Sequence, residues 1–138
     1  MTIEESIFNH LEDQAAIVAL VSTRIYQTER EQGSGLPSIV FDEVGGGESE
    51  QDMSAGSIGL AKGLYQFDCY ATTTKEAAAI RELVRLAFQN HINAVMGGAG
   101  GVHVWMCDFS GQSGGFDPDT RDVVRSIDFE IQHQQDTS

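Results

Sequence analysis

Positive charge is what this chain has least of. Eight Lys+Arg stand against 21 Asp+Glu, a formal net charge of −13 over 138 residues. Non-specific duplex binding draws on clustered cations that displace counterions from phosphates, and the sequence holds no such cluster. A polybasic membrane anchor is excluded for the same reason. No apolar run approaches the ~20 residues that a membrane-spanning helix needs. The opening Met1-Thr2-Ile3-Glu4-Glu5 is acidic where a secretory signal is basic and then apolar, so the expectation is synthesis and retention in a cytoplasm. Two prolines argue against a disordered linker, and two cysteines, Cys69 and Cys107, are too few for a disulfide framework and read as free buried thiols. No lipidation motif stands at either end.

What remains is ordinary globular material. Hydrophobic residues make up 41% and charged residues 21%, which suits one domain, expected over residues 1–138 with a flexible tail from 134 to 138. Fifteen glycines point to long or sharply turned loops.

Periodicity assigns the elements. Ile3, Ile7, Phe8 and Leu11 share a helical face, and Thr2 with Glu5 forms a capping-box pattern. Asp13 suits the cap of a second short helix over 14–21, and Arg24-Ile25-Tyr26 reads as extended. Residues 27–36 read as a polar loop, and 38–44, after Pro37, as a strand. Residues 45–59, with Gly45-Gly46-Gly47 followed by Glu48, Glu50 and Asp52, read as a long loop of the kind that is usually functional or disordered. Over 64–71, Tyr65, Phe67, Cys69 and Ala71 alternate against Gln66, Asp68 and Tyr70. Thr73 and Glu76 open a long helix expected to reach about Met96, with Ala77, Ile80, Val84, Ala87, Phe88 and Val95 on its buried stripe. Leu86 falls opposite that stripe beside Glu82 and Gln89, either as an isolated exposed leucine or as a subunit contact. The turn at 97–101 leads into a strand over 102–109, a glycine-rich loop over 110–120 and a last strand over 121–133, with Val123, Ile127, Phe129 and Ile131 inward. The expected fold is α+β: a mostly antiparallel sheet packed by one long and one or two short helices, in a single two-layer domain.

Catalytic patterns are weak. Gly111-Gln112-Ser113-Gly114-Gly115 matches G-x-S-x-G, but no helix follows to make the elbow that exposes a nucleophilic serine. The glycine runs at 45–47 and 97–101 lack the strand–glycine–helix order and the Gly-Lys-Ser/Thr of a phosphate loop. Asp117, Asp119 and Asp122 cluster near a turn without the glycine and final glutamate of a calcium hand. His103 and Cys107, on one strand face, would lie ~13 Å apart at ~3.3 Å per residue, too far to share a zinc ion. No metal, cofactor or catalytic residue is expected. Asp42, Asp68, Asp128 and Glu130 fall at the outward positions of their strands, as a solvated face or as a surface that repels another polyanion.

Taken in succession, several segments resemble the phage tail-completion family. They are Ser6-Ile7-Phe8-Asn9-His10-Leu11, Ala15 to Val21, Arg24-Ile25-Tyr26 and Leu36-Pro37-Ser38-Ile39-Val40-Phe41. Tyr65-Gln66-Phe67-Asp68-Cys69-Tyr70-Ala71, the helix from Glu76-Ala77, and Phe116-Asp117-Pro118-Asp119-Thr120 running into Ser126-Ile127-Asp128-Phe129 continue the series. The resemblance covers nearly the whole chain in order. It implies a structural virion protein that forms a homohexameric ring on the head-proximal end of the tail tube, stops tube polymerisation and offers a docking surface to head or neck proteins. Under that reading the partners are the chain itself, the tube protein and head or neck connectors. DNA passes through without specific binding, and there is no membrane. Leu86, Glu82 and Gln89 become candidate subunit contacts. Gly45, Gly46, Gly47, Glu48, Glu50, Asp52, Met53, Ser113 and Phe116 become candidate tube or neck contacts, and Asp42, Asp68, Asp128 and Glu130 a candidate acidic lumen. The alternatives are a head–tail connector, a small cytoplasmic oligomeric binding module with an acidic docking face, or an enzyme using Ser113 or the Asp117 cluster.

Overall fold

The computed structural model describes residues 2–28, 35–52, 56–116 and 122–134. Helix α1 spans Ile3–Glu12. The Thr2 hydroxyl accepts the Glu5 N–H at 3.1 Å and the Glu5 carboxylate accepts the Thr2 N–H at 3.2 Å, so the expected capping box forms. Helix α2, Ala15–Val21, starts at Gln14 rather than Asp13 and has no side-chain cap. Asp13 is occupied one step earlier: its backbone is helical and its N–H closes the end of α1 on the Asn9 and Leu11 carbonyls. An N-cap needs extended backbone, which Asp13 therefore does not offer.

A six-stranded sheet follows in the order β1-β2-β3-β6-β5-β4. Its strands are β1 (Ile25–Gln27), β2 (Ser38–Asp52), β3 (Gly56–Ala71), β4 (Ala94–Met96), β5 (Val102–Phe116) and β6 (Val123–Gln134). Every pairing is antiparallel except β1 with β2. Helix α3 (Thr74–Gln89) packs on the sheet through Ala77, Ile80, Val84 and Phe88, and the Thr73 hydroxyl caps it by accepting the Glu76 N–H at 3.2 Å. The core joins this stripe to Ile39, Phe41, Tyr65, Phe67, Ile127, Phe129 and Ile131, with Ile3, Ile7 and Leu11 of α1. The expected two-layer α+β domain with a mostly antiparallel sheet is the observed architecture.

Three boundaries differ from the sequence reading. Residues 45–52 and 56–59 are not a loop but the arms of the β2–β3 hairpin, whose pairing shifts register at Glu43/Gly45, Gly46/Ser49 and Glu50/Asp52. Bulges of this kind absorb the extra residues that glycine tolerates, and they erase the two-residue alternation that marks a strand. Residues 110–116 are likewise strand, with Gly111 to Phe116 paired to Asp128 through Val123. Met53, Asp117 and Asp119 lie outside the described residues, as does the tail from 135. Helix α3 stops at Gln89, capped by Asn90, and does not reach Met96. The apolar Ala94–Met96 instead pairs with Val102–Val104, burying Met96 completely and leaving Val95 52% exposed.

The turn between β4 and β5 docks on α1. Ser6, buried in the first helix, accepts the Val102 N–H on its hydroxyl at 3.0 Å. A register shift between Val104 and Met106 also inverts the parity of β5. Cys107 therefore turns into the core while His103 stays on the opposite side, stacked edge-on to Trp105 at 4.9 Å and bonded to Asn93 at 2.9 Å. The two residues do not share a face. Both cysteines are free and buried, as the composition suggests.

Candidate assembly surfaces

Helices cover one face of the sheet, and Asp42, Asp68, Asp128 and Glu130 lie on the other. Asp42 of β2 stands opposite Gln66 of β3, which in turn stands opposite Asp128 of β6. Asp68 lies two residues along β3 and its carboxylate accepts the Ser126 hydroxyl at 2.6 Å. Three carboxylates thus gather around one glutamine on the face opposite the helices. Glu130 sits two residues further along β6, opposite Leu64 and Asp108.

This crowding has an electrostatic consequence. Burial pushes the Asp68 carboxyl above its ordinary value, the Ser126 hydrogen bond opposes that, and the charges of Asp128 and Asp42 add to it. Asp128 is raised by burial against a hydrogen bond from Gln66, and its Oδ1 is buried without a partner among the described residues. A carboxyl raised on folding binds its proton more tightly in the native state. Its stabilising contribution is full below the unfolded value, near 3.8, and is lost as pH rises through the native one. Asp68→Asn is therefore expected to melt above the unmodified protein at pH 7, with the gap closing as pH falls to about 4. Thermal unfolding across that range checks this, and a gap independent of pH would contradict it.

The other proposed contacts occupy the helical layer and β5. Glu82 and Gln89 are both hydrogen-bonded to Arg85, forming one polar row beside Leu86, which is 43% exposed. Below that row, α3 and β5 enclose a groove of about 520 Å³ lined by Arg85, Gln89, Ile92, Met106, Phe109 and Gln112. Ile92, Met106, Phe109 and Phe116 are all at least 41% exposed. Sequence reasoning missed this apolar surface. Its one signal is the run Val102 to Phe109, which is apolar on both parities where a half-buried strand should alternate.

Ser113 lies mid-strand opposite Ser126, and its carbonyl accepts Arg81 Nη1 at 3.4 Å. It occupies extended backbone rather than a strand-to-helix elbow. Glu48, Glu50 and Asp52 fall on β2, and Gly45 to Gly47 at its bulges. Asp122 is buried. Among the described residues no three His, Cys, Asp or Glu gather as a metal site, and no helix is long and apolar enough to cross a membrane.

Comparison with known proteins bears on what such surfaces serve. No curated protein matches this chain in sequence. Among solved structures, a chain from the virion of a native gene transfer agent (GTA) particle is similar in fold, with a TM-score of 0.72 at 13% identity, covering 96% of this chain and 95% of that one. The family described as tail completion protein gp17 matches residues 5–134. That match takes in most of α1, all of α2 and α3 and every strand, and the protein belongs to the tail completion protein gp17 family.

Proposed function

We propose that the chain is a structural tail protein that assembles as a ring on the head-proximal end of the phage tail tube, ends tube growth and offers the surface on which head or neck proteins dock. Family membership supports the tail-completion role. The observation that carries the ring reading is the division of the sheet. One face is committed to the helical layer, and the other gathers Asp42, Asp68 and Asp128 side by side. A cyclic assembly of this kind uses heterologous contacts that close on themselves.

Turned toward the axis, the acidic face becomes the wall of the lumen. Copies at −13 each repel DNA from that wall and let it slide through without specific binding. Asp128→Lys with Glu130→Lys is expected to impede DNA delivery while particles still assemble. Infectivity per assembled particle measures this, and unchanged infectivity would remove the lumen assignment. No step of this role is catalytic.

The role itself is tested by electron microscopy of lysates from a phage lacking the gene. Overlong tubes beside filled, unattached heads are the expected result of lost termination. Tails of normal length beside separate heads would assign the chain to head joining instead. Intact infectious particles would overturn the tail-completion reading in favour of an oligomeric binding module.

A further inference from the structure

The sheet ends on two long edges. Among the described residues, β1 covers β2 only at Ile39–Phe41, which leaves the outer side of Asp42–Asp52 open. At the other end, β4 covers β5 at Val102–Val104 and the Asn93 N–H reaches the Trp105 carbonyl, which leaves the outer side of Met106–Phe116 open. An open edge is a row of unpaired N–H and C=O groups, and proteins usually blunt it with lysine, proline or charge. The β5 edge has none of the first two and a single acid, Asp108, beside the exposed Trp105, Met106, Phe109 and Phe116.

The two edges complement each other in several independent ways. They are nearly equal in length. Counting across the sheet from β2 through β3 and β6, β5 runs opposite to β2, so a β5 edge set beside a β2 edge continues an antiparallel ladder. The short covering strands sit at opposite ends: β1 is level with Arg125–Ile127 of β6, and β4 is level with His133 and beyond. Joining the open stretches therefore requires an offset along the strands, and an offset is the shear that any closed sheet must have. Charge favours the same pairing. The β2 edge carries Asp42, Glu43, Glu48, Glu50 and Asp52 in its sequence. Beneath β5 lie three of the chain's eight cations: Arg81 on the Ser113 carbonyl, Arg85 in the groove beside Phe109, and Arg125 against Gly114. Two β2 edges would set like charges opposite each other, which is destabilising.

We propose that the open β5 edge of one copy pairs with the open β2 edge of the next, so that the sheets of a ring join head to tail into one antiparallel wall with the acidic face inward. This rests on the ring reading and names the surface that closes it. The Arg81 and Arg85 side of each copy then meets the acidic β2 arm of its neighbour.

The test is cross-linking with a short bis-maleimide, applied to phage particles and to the concentrated purified chain. Val44→Cys on β2 is combined in turn with Phe109→Cys, Gly111→Cys or Ser113→Cys on β5, which spans the offset. Gly111 has open space for a side chain and Val44 is 49% exposed. The native thiols stay silent because both are buried, Cys107 being pushed up to about 12. At least one pair should yield a ladder of covalent multimers in particles, while each single variant yields none. Covalent dimers from a β5 cysteine alone would show β5 paired with itself and overturn the proposal. So would particles that contain the chain yet give no multimer with any pair. Particles that lack the chain altogether would overturn the ring reading beneath it. A charge swap gives a second readout: Arg81→Glu should cut the cross-linked yield several-fold, and Glu43→Lys in the same chain should restore it.

Discussion

Phe88→Ala is expected to destabilise the protein by about 3–5 kcal/mol, a large share of the ~5–15 kcal/mol that holds a domain folded. Phe88 is fully buried on α3 and ties the helical layer to the middle of the sheet. Its ring lies 4.7 Å from Phe67 of β3 and 5.8 Å from Phe129 of β6, and the His10 ring of α1 meets it edge-on at 5.0 Å. Truncation removes the burial of one large side chain and leaves a cavity that neighbours on a rigid sheet cannot collapse to fill. At this size each kcal/mol moves the melting temperature by about 3–5 °C, so a drop of order 10–20 °C follows. Denaturant unfolding should show a lower midpoint at unchanged slope. Leu86→Ala, on the face of α3 turned away from the core, serves as the control and should stay within about 0.5 kcal/mol. Equal effects from the two variants would mean that α3 does not pack as described.

Gly101→Ala is the second large effect, and it follows from backbone rather than side-chain packing. A Cβ at Gly101 would stand 1.9 Å from the Met96 carbonyl oxygen and 3.0 Å from that of Gly98. The Gly101 N–H also donates to the Gly98 carbonyl at 3.0 Å, so the turn cannot open without losing that bond. Met96 is fully buried and Val102 is held by Ser6 of α1, which fixes both ends of the turn. Alanine here should detach β4 from β5 and cost several kcal/mol, in the range reserved for strain at a special backbone position. Gly98→Ala provides the contrast: its φ of +83° strains any other residue, but no atom lies within 4 Å of the added carbon. It should cost only about 1 kcal/mol. Hydrogen exchange at Val102 to Val104 would register the difference, with protection lost in the first variant and kept in the second. Similar protection in both would contradict the close approach at Gly101.

Much of this protein was legible without coordinates, and the legible parts share a cause. Thr2 with Glu5 and Thr73 with Glu76 announce helix starts because capping is a bond between residues three apart. Tyr65, Phe67, Cys69 and Ala71 announce a strand with one buried face because a pleat alternates every two residues. The Ala77, Ile80, Val84 and Phe88 stripe follows from the helical repeat. The scarcity of Lys and Arg and the outward parity of Asp42, Asp68, Asp128 and Glu130 are equally local facts.

The rest was settled by partners distant in sequence. Glycine and serine give the hairpin arms at 45–52 and 56–59 and the end of β5 no alternation to read; they are strands because the strands beside them supply ladders. Val95 and Met96 continue the apolar pattern of α3, yet β5 draws them into a strand, since edge pairing there buries Met96 where one more helical turn would not. The bulge near Trp105 reversed the faces of His103 and Cys107, a change invisible to any count of residues. Local periodicity determined the helices, the central strands and the sign of the surface. Which stretches became sheet edges, and that β5 leaves an apolar one open, was decided by long-range hydrogen bonding, which depends on what lies alongside a segment rather than on its own composition.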